Sequence, residues 1–328
     1  MFRLPPVMTS QELLDKAFKK LSKVSVRGRS SVDVAKKSSI KKIDVLHRVI
    51  ESALNRYQKG FPSVDNLHPF YSEIVDILVG RDDLKKSLGT LKWCVDKSRE
   101  IRDSYIRAIK RAESPDDVER KRKEAFGRIS SVVKRISDNL EFLIEARNRL
   151  RRMPSIEPSV PTIVIAGYPN VGKSQLVRAM SSGTPRVESY PFTTKGVSLG
   201  HFDYENERYQ VIDTPGLLDR DMSKRNRIEK QAVAALKHLA HAIIFILDLT
   251  ETCGYEVSKQ KNLLLTVSEQ FPDIRIIVAE NKSDLLEGTS SRIRVSALTG
   301  NGVEKLRETA AEAARSRALE ASRAEESR

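Results

Sequence analysis

The sequence predicts an α/β protein in two parts: an all-α helical-bundle domain in the first half, then a domain built on a mostly parallel sheet. Three observations predict it. Apolar residues recur at three- and four-residue spacing through the first half. From Thr162 onward, short β-branched runs alternate with helical stretches, the pattern of a sheet covered by helices. Pro154, Pro158 and Pro161 punctuate the join. The expected boundaries are 1–153 for the helical domain, 154–161 for a Pro-rich linker, 162–314 for the sheet domain and 315–328 for a polar tail of frayed helix or disorder.

Taken in order, Thr9 to Glu12 give a capping-box signal, and Leu13, Leu14, Ala17, Phe18 and Leu21 follow on one helical face. The Ser/Lys-rich residues 22–42 read as a mobile connection. Helical spacing resumes with Ile43, Leu46, Ile50 and Leu54, breaks over 60–69 and returns over 71–79. After Gly80, Leu84, Leu88, Leu91, Val95, Tyr105 and Ile109 mark a longer helix. Ser114, Pro115, Asp116 and Asp117 start another, with a capping hydroxyl, a first-turn proline and acids at the positive dipole end. That helix is expected to run through Ile129, Val132, Ile136, Leu140 and Leu143 and to pack antiparallel on its predecessor. Strands are expected at 162–166, 197–202, 209–212, 242–247, 274–279 and 292–295.

The net charge of +14 is unevenly divided: residues 1–160 carry +13 and residues 161–328 only +1. That partition is expected when one half meets a polyanion, and nucleic acid is the favoured partner of the helical half. The densest basic clusters lie at 120–123 and 147–152. Sparse aromatics argue against base stacking on a single strand. No apolar run approaches the roughly 20 residues that cross a bilayer, so no membrane partner is expected. Two prolines within the first ten residues argue against an export signal. Cys94 and Cys253 stand alone, without a CxxC or Cys/His cluster, which argues against a zinc site or disulfides and for a reducing, cytoplasmic setting. Cys94 sits in an apolar helical pattern and reads as a core thiol, and His47 and His68, lacking partners nearby in sequence, read as structural.

The chemistry concentrates in the second half. Gly167-Tyr168-Pro169-Asn170-Val171-Gly172-Lys173-Ser174, with Gln175 after it, matches GxxxxGK[ST] directly behind the first strand. Glycines let backbone N–H groups curl around phosphate oxygens, Lys173 reaches the outer phosphates, and the Ser174 hydroxyl can bind Mg²⁺. Asn281-Lys282-Ser283-Asp284 is an NKxD pattern behind a later strand. The Asp284 carboxylate can accept both N1–H and N2–H of guanine, whereas adenine would leave it unpaired. Asn281 is expected to contact the base and hold neighbouring loops, the Lys282 stem to cover the ring face, and the Ala297 amide, within Ser296-Ala297-Leu298, to meet guanine O6. Asp213-Thr214-Pro215-Gly216 places Asp213 at the metal and the Gly216 amide at the γ-phosphate. Of Thr193 and Thr194, Thr194 is the preferred magnesium-closing residue in the triphosphate state. The ligands implied are GTP or GDP and Mg²⁺.

These motifs in this order resemble a translation-factor-type GTPase. Gly167-Tyr168-Pro169-Asn170-Val171-Gly172-Lys173-Ser174, Tyr190-Pro191-Phe192-Thr193-Thr194-Lys195-Gly196 and Asp213-Thr214-Pro215-Gly216-Leu217-Leu218-Asp219 together resemble the Obg-like group. Within it, His68-Pro69-Phe70-Tyr71, the helical region through Leu150, and Asp248-Leu249-Thr250-Glu251-Thr252-Cys253-Gly254 are similar to the nucleolar GTP-binding (Nog) family. The resemblance implies a P-loop GTPase domain and a role in assembling the large ribosomal subunit. Its partners would be the subunit precursor, its rRNA and other assembly factors, with the chain a monomer off the ribosome. It also implies that Asn170 helps bind K⁺ near the phosphates, which with Lys173, Thr194 and Gly216 would make up the catalytic set. Eukaryotic members continue past this domain, so a cell without a nucleus, an archaeon, is the expected source. Leu217 stands where many GTPases carry a water-orienting glutamine, so slow intrinsic hydrolysis is expected. The alternative is an RNA-binding scaffold with GTP as a structural ligand and negligible turnover. A third reading, an RNA-modifying GTPase, would need a reactive group in the helical half, which offers only Cys94.

Overall fold

The structure, a computed structural model, describes residues 4–151, 153, 155–188, 190, 196–213, 215–219 and 227–326. Thr193 and Thr194 lie outside the described residues, as do Arg152 and Pro154. The chain divides into two units: a helical one of residues up to 66 with 78–151, and a second of 67–77 with residues from 152 onward.

In the helical unit, α1 (Ser10–Leu21) begins with the expected capping box: Glu12 N–H donates to the Thr9 hydroxyl at 3.2 Å, and Thr9 N–H donates to the Glu12 carboxylate at 2.8 Å. The stretch expected to be mobile over 22–42 is instead largely helix. α2 (Ser31–Gly60) starts inside it, capped by Ser30, whose hydroxyl accepts from Asp33 N–H at 3.2 Å. Lysine is a good helix former, and here it covers the solvent side while Ser39 and Ile43 are buried. α3 (Pro69–Val79) belongs to the second unit. α4 (Arg81–Arg111) packs against α2, and α5 (Pro115–Arg135), capped by Ser114, packs against both. The single helix expected beyond Ser114 is two. α5 stops at Ile136, and α6 (Ser137–Leu150) restarts there, because the Ser137 hydroxyl donates to Lys134 O at 2.9 Å and competes with the helical ladder. The apolar stripe survives the break, since Ile136, Leu140 and Leu143 all remain buried. Cys94 is buried among these helices, and burial pushes its thiol up to about 12. His47 does have a partner, remote in sequence: its Nδ1 lies 3.0 Å from Ser98 Oγ across the α2–α4 seam.

The second unit carries, in chain order, β1 (Thr162–Ala166), α7 (Lys173–Met180), β2 (Arg186–Glu188), β3 (Val197–Tyr204), β4 (Glu207–Asp213), α8 (Arg227–Ala235), β5 (Ala242–Leu247), α9 (Val257–Gln270), β6 (Arg275–Glu280), β7 (Ile293–Arg294) and α10 (Val303–Glu326). The sheet order is β2-β3-β4-β1-β5-β6-β7. β4, β1, β5, β6 and β7 run parallel, and β3 pairs antiparallel with both β2 and β4. β3 and β4 join through Glu205 and Asn206, both at positive φ, as a two-residue hairpin turn demands. β1 and β5 are buried throughout and apolar apart from Thr162, as suits central parallel strands. The strand order reverses at β1, so the loop behind β1 opens at a switch point, where α/β sheets bind ligands.

The tail is helical as far as Glu326, and ahead of it Ala310, Ala311, Ala313 and Ala314 of α10 pack into the sheet core. The linker is fastened to β4: the buried Gln210 donates to Glu157 O at 2.7 Å and accepts from Glu157 N–H at 3.2 Å. α3 packs in this unit through buried Phe70, through Tyr71, whose hydroxyl donates to Ile156 O, and through Glu73, 3.0 Å from His238 Nε2. His68 also has a partner, accepting from Phe70 N–H at 3.3 Å. No described helix is long and apolar enough to cross a membrane.

Candidate functional site

β1 ends at Ala166, and the chain turns through Gly167 (φ 141°), Asn170 (φ 62°) and Gly172 (φ 99°) before α7 starts at Lys173. Both glycines are required by space as well as by dihedral. A Cβ on Gly167 would stand 2.7 Å from Ile246 O, and one on Gly172 would stand 2.2 Å from Asn281 Nδ2. Lys173 is buried and folds back over the loop, its ammonium donating to Gly167 O and Tyr168 O, each at 2.7 Å. Burial pulls its pKa down, opposed by Asp213 and Asp219. Gly172 gives α7 no side-chain cap, so the helix brings its positive dipole end to this loop without an internal acceptor there. Pro169 is half-buried, Val171 is in the core, and Asn170, Ser174 and Gln175 face solvent.

Asp213, the last residue of β4, lies beside Ile165 of β1 and is fully buried. Ser174 Oγ donates to its Oδ2, while its Oδ1 is buried without a hydrogen-bond partner. Burial raises the Asp213 pKa against the opposing pull of Ser174 and Lys173. A hydroxyl and a carboxylate with an unspent buried oxygen are the hard donors that suit Mg²⁺. The Gly216 amide, at φ 84°, donates to Asp219 Oδ2 at 2.8 Å, and Gly167 N–H donates to Leu218 O at 3.1 Å, tying the two loops together. Leu217 is buried. Asp219, the last residue of the motif that begins at Asp213, enters the site through this bond, a role its place in the motif does not show.

Asn281 joins the phosphate loop to the last loop: its Nδ2 donates to Val171 O at 2.8 Å and its Oδ1 accepts from Ala297 N–H at 3.0 Å. The Ala297 amide expected to meet the base is thus engaged by Asn281. Lys282 adopts φ 60°, and its ammonium donates to Asp248 Oδ2 at 2.6 Å and Thr252 Oγ1 at 2.7 Å. Asp284 is exposed, so leaving it unpaired becomes costly only beneath a bound base. Ser296 is buried and accepts from Thr299 N–H at 3.2 Å, while Leu298 is exposed. Sequence reasoning missed Asp248 as a site residue. The available signal was an acid directly behind the apolar run of residues 242–247. Among the described residues no cluster of three or more His, Cys, Asp or Glu suits a metal ion.

Residues 2–157 match the family model of the NOG1 N-terminal helical domain, and residues 162–282 match that of the 50S ribosome-binding GTPase. An uncharacterized protein of Methanocaldococcus jannaschii is 38% identical over 289 residues, covering 87% of this chain and 81% of its own length. Nucleolar GTP-binding protein 1 of Encephalitozoon cuniculi is 34% identical over 291 residues, covering 86% of this chain and 54% of that protein. Its namesake in Saccharomyces cerevisiae is 36% identical over 228 residues, covering 70% and 35%. The chain spans about half or less of the length of these two eukaryotic relatives.

Proposed function

The chain belongs to the NOG1 family of GTP-binding proteins, with a helical domain followed by a GTPase domain, and from that premise we propose that it hydrolyses GTP to GDP and phosphate as a conformational switch in large ribosomal subunit assembly. The observation that carries this is the convergence, at the carboxyl ends of β1 and β4, of a glycine-bent loop, an inward-folded Lys173 and the Ser174–Asp213 pair. In this reading the loop amides of residues 167–175 and Lys173 cradle the phosphates, and Asp284, with Asn281 and Lys282, receives guanine. Ser174, Asp213 and Thr194 hold Mg²⁺, which when bound offsets negative charge on the phosphates. Thr194 and Gly216 respond to the γ-phosphate, so that its loss releases their segments and changes affinity for the pre-ribosome. Buried Leu217 offers no hydrogen bond to water, so slow intrinsic turnover is expected, with Asn170 assisting K⁺ binding and the assembling particle completing the site. The helical unit carries the excess positive charge and faces rRNA. The setting is a cytoplasm, and the chain is a monomer when off the ribosome.

Leu217 is also what favours the second reading, a scaffold in which GTP is structural. Multiple-turnover phosphate release with and without large-subunit particles decides between them. The switch reading expects slow release that particles accelerate at least tenfold. Release of no more than one phosphate per protein under both conditions would overturn it in favour of the scaffold.

A further inference from the structure

The segment Asp248-Leu249-Thr250-Glu251-Thr252-Cys253-Gly254 marks the family resemblance but has no part in the reading above. It is built around one carboxylate. Asp248 directly follows β5 and is fully buried. Its Oδ1 accepts from Thr250 N–H at 3.0 Å and from the Thr250 hydroxyl. Its Oδ2 accepts from Cys253 N–H at 2.9 Å, from Thr252 Oγ1 at 3.2 Å and from Lys282 Nζ at 2.6 Å. Burial pushes the Asp248 carboxyl up, but hydrogen bonds from Lys282, Thr250 and Cys253 outweigh it and hold it below the usual range. Gln260 closes the segment, donating to Asp248 O at 2.9 Å and Tyr255 O at 2.8 Å. The Tyr255 ring then lies 4.5 Å from that of Tyr168 in the phosphate loop.

A buried carboxylate requires a cation, and the one supplied comes from the NKxD loop, 34 residues further along the chain. That lysine stands in a left-handed conformation that residues with a Cβ rarely take, so its backbone is held from outside. We infer that Asp248 is a positioning residue for base recognition: by fixing the Lys282 ammonium it sets the Asn281–Asp284 turn, and its segment braces that turn against the phosphate loop through Tyr255 and Tyr168. This rests on the guanine-nucleotide reading of the site. Asp248 touches no nucleotide in it and acts only through Lys282.

A double-mutant cycle on the full chain tests it, with the fluorescent analogue mant-GDP as probe. Asp248→Asn keeps the size and one of the two acceptor oxygens but removes the charge, and Lys282→Met keeps the stem and removes the ammonium. Each is expected to weaken mant-GDP at least tenfold, and the double variant is expected to be no weaker than Lys282→Met alone. Losses that multiply in the double variant would mean that Asp248 only shapes its own segment, which overturns the inference; so would an Asp248→Asn variant with wild-type affinity. Should Asp248→Asn not fold, Thr252→Val takes its place in the cycle. It removes the other oxygen on Lys282, with a loss of about threefold expected and unchanged or multiplicative affinity overturning. A wild-type chain that binds mant-ADP as tightly as mant-GDP would instead sink the guanine reading itself, a separate result.

Discussion

At Gly172 a single methyl group would strike the candidate site itself. Its φ of 99° is costly for any residue with a Cβ, and that Cβ would meet the Asn281 amide at 2.2 Å. Asn281 would have to release Val171 O, its link to the phosphate loop. Gly172→Ala is therefore expected to weaken guanine nucleotide binding at least 100-fold, about 3 kcal/mol, and to lower the melting temperature by several degrees. Gly183→Ala is the control, since a Cβ there meets nothing within 4 Å and φ is not positive. It should change affinity and stability by less than about 0.5 kcal/mol. Titration of both variants with labelled GDP checks the pair, and near-wild-type affinity in Gly172→Ala would refute the expected clash. At this scale the contiguous parts are legible in the sequence: residues 167–174 and 281–284 read directly as a candidate phosphate loop and a candidate base turn. It could not show the Lys282–Asp248 pair, the Asn281–Val171 bond or the use of the Ala297 amide, because those depend on which strands lie side by side.

At the scale of elements, the seam between α2 and α4 holds a titratable group that only tertiary packing explains. Ser98 Oγ spends its hydrogen on Val95 O at 2.9 Å, so it accepts from His47 Nδ1–H, while the buried Nε2 makes no hydrogen bond and lies 3.5 Å from Glu51 Oε2. Burial lowers the His47 pKa, Arg102 and Arg99 push the same way, and Glu51 and Asp44 oppose. With the folded value below the usual 6.5, the unfolded chain binds more protons in that window. Stability is then complete above about pH 6.5 and is lost as pH falls through the folded value. His47→Asn keeps a donor for Ser98 without a titrating ring. It should melt lower than wild type at pH 7.5, by about 1–3 kcal/mol for a shrunken core side chain. It should also lose less stability than wild type between pH 7.5 and 5.5. Parallel declines in calorimetric scans would remove His47 as the cause. Other features of the elements eluded the sequence for comparable reasons. β2 is three residues at a sheet edge, too short for a period to register. The start of α2 was hidden by its Ser/Lys composition, because a helix with a wide polar face looks like a linker when composition is weighed before spacing.

For the molecule as a whole, the question is where the +13 of residues 1–160 is usable. The cluster at 120–123 is the densest in sequence, but α5 answers it with acids: Arg120 and Lys121 pair with Asp117, and Arg122 and Lys123 pair with Glu119. Asp116 and Glu124 complete the balance, so the four cations are matched by four carboxylates on one stretch of helix. Arg149, in the second cluster, pairs with Glu145. The groove between α1 and α2 differs. Lys16, Lys20, Arg48 and Arg56 line it, Arg56 and Lys59 line the adjoining hollow, and neither has a carboxylate in its wall. Among the described residues, only Arg48 of these forms an ion pair, with Asp44. Phosphates displace counterions from unmatched cations, and the salt dependence of binding counts how many are used. Replacing Lys20, Arg56 and Lys59 together by Gln should weaken binding to large-subunit rRNA. It should also flatten the slope of log affinity against log salt by about 2, at roughly 0.7–0.9 per phosphate contact. Replacing Arg120, Lys121 and Lys123 by Gln should change the slope by less than about 1. Filter binding between 50 and 200 mM KCl reads both slopes. If the α5 variant flattens the slope and the α1–α2 variant leaves it intact, the charge-density reading of the sequence is right and the groove is a solvated face.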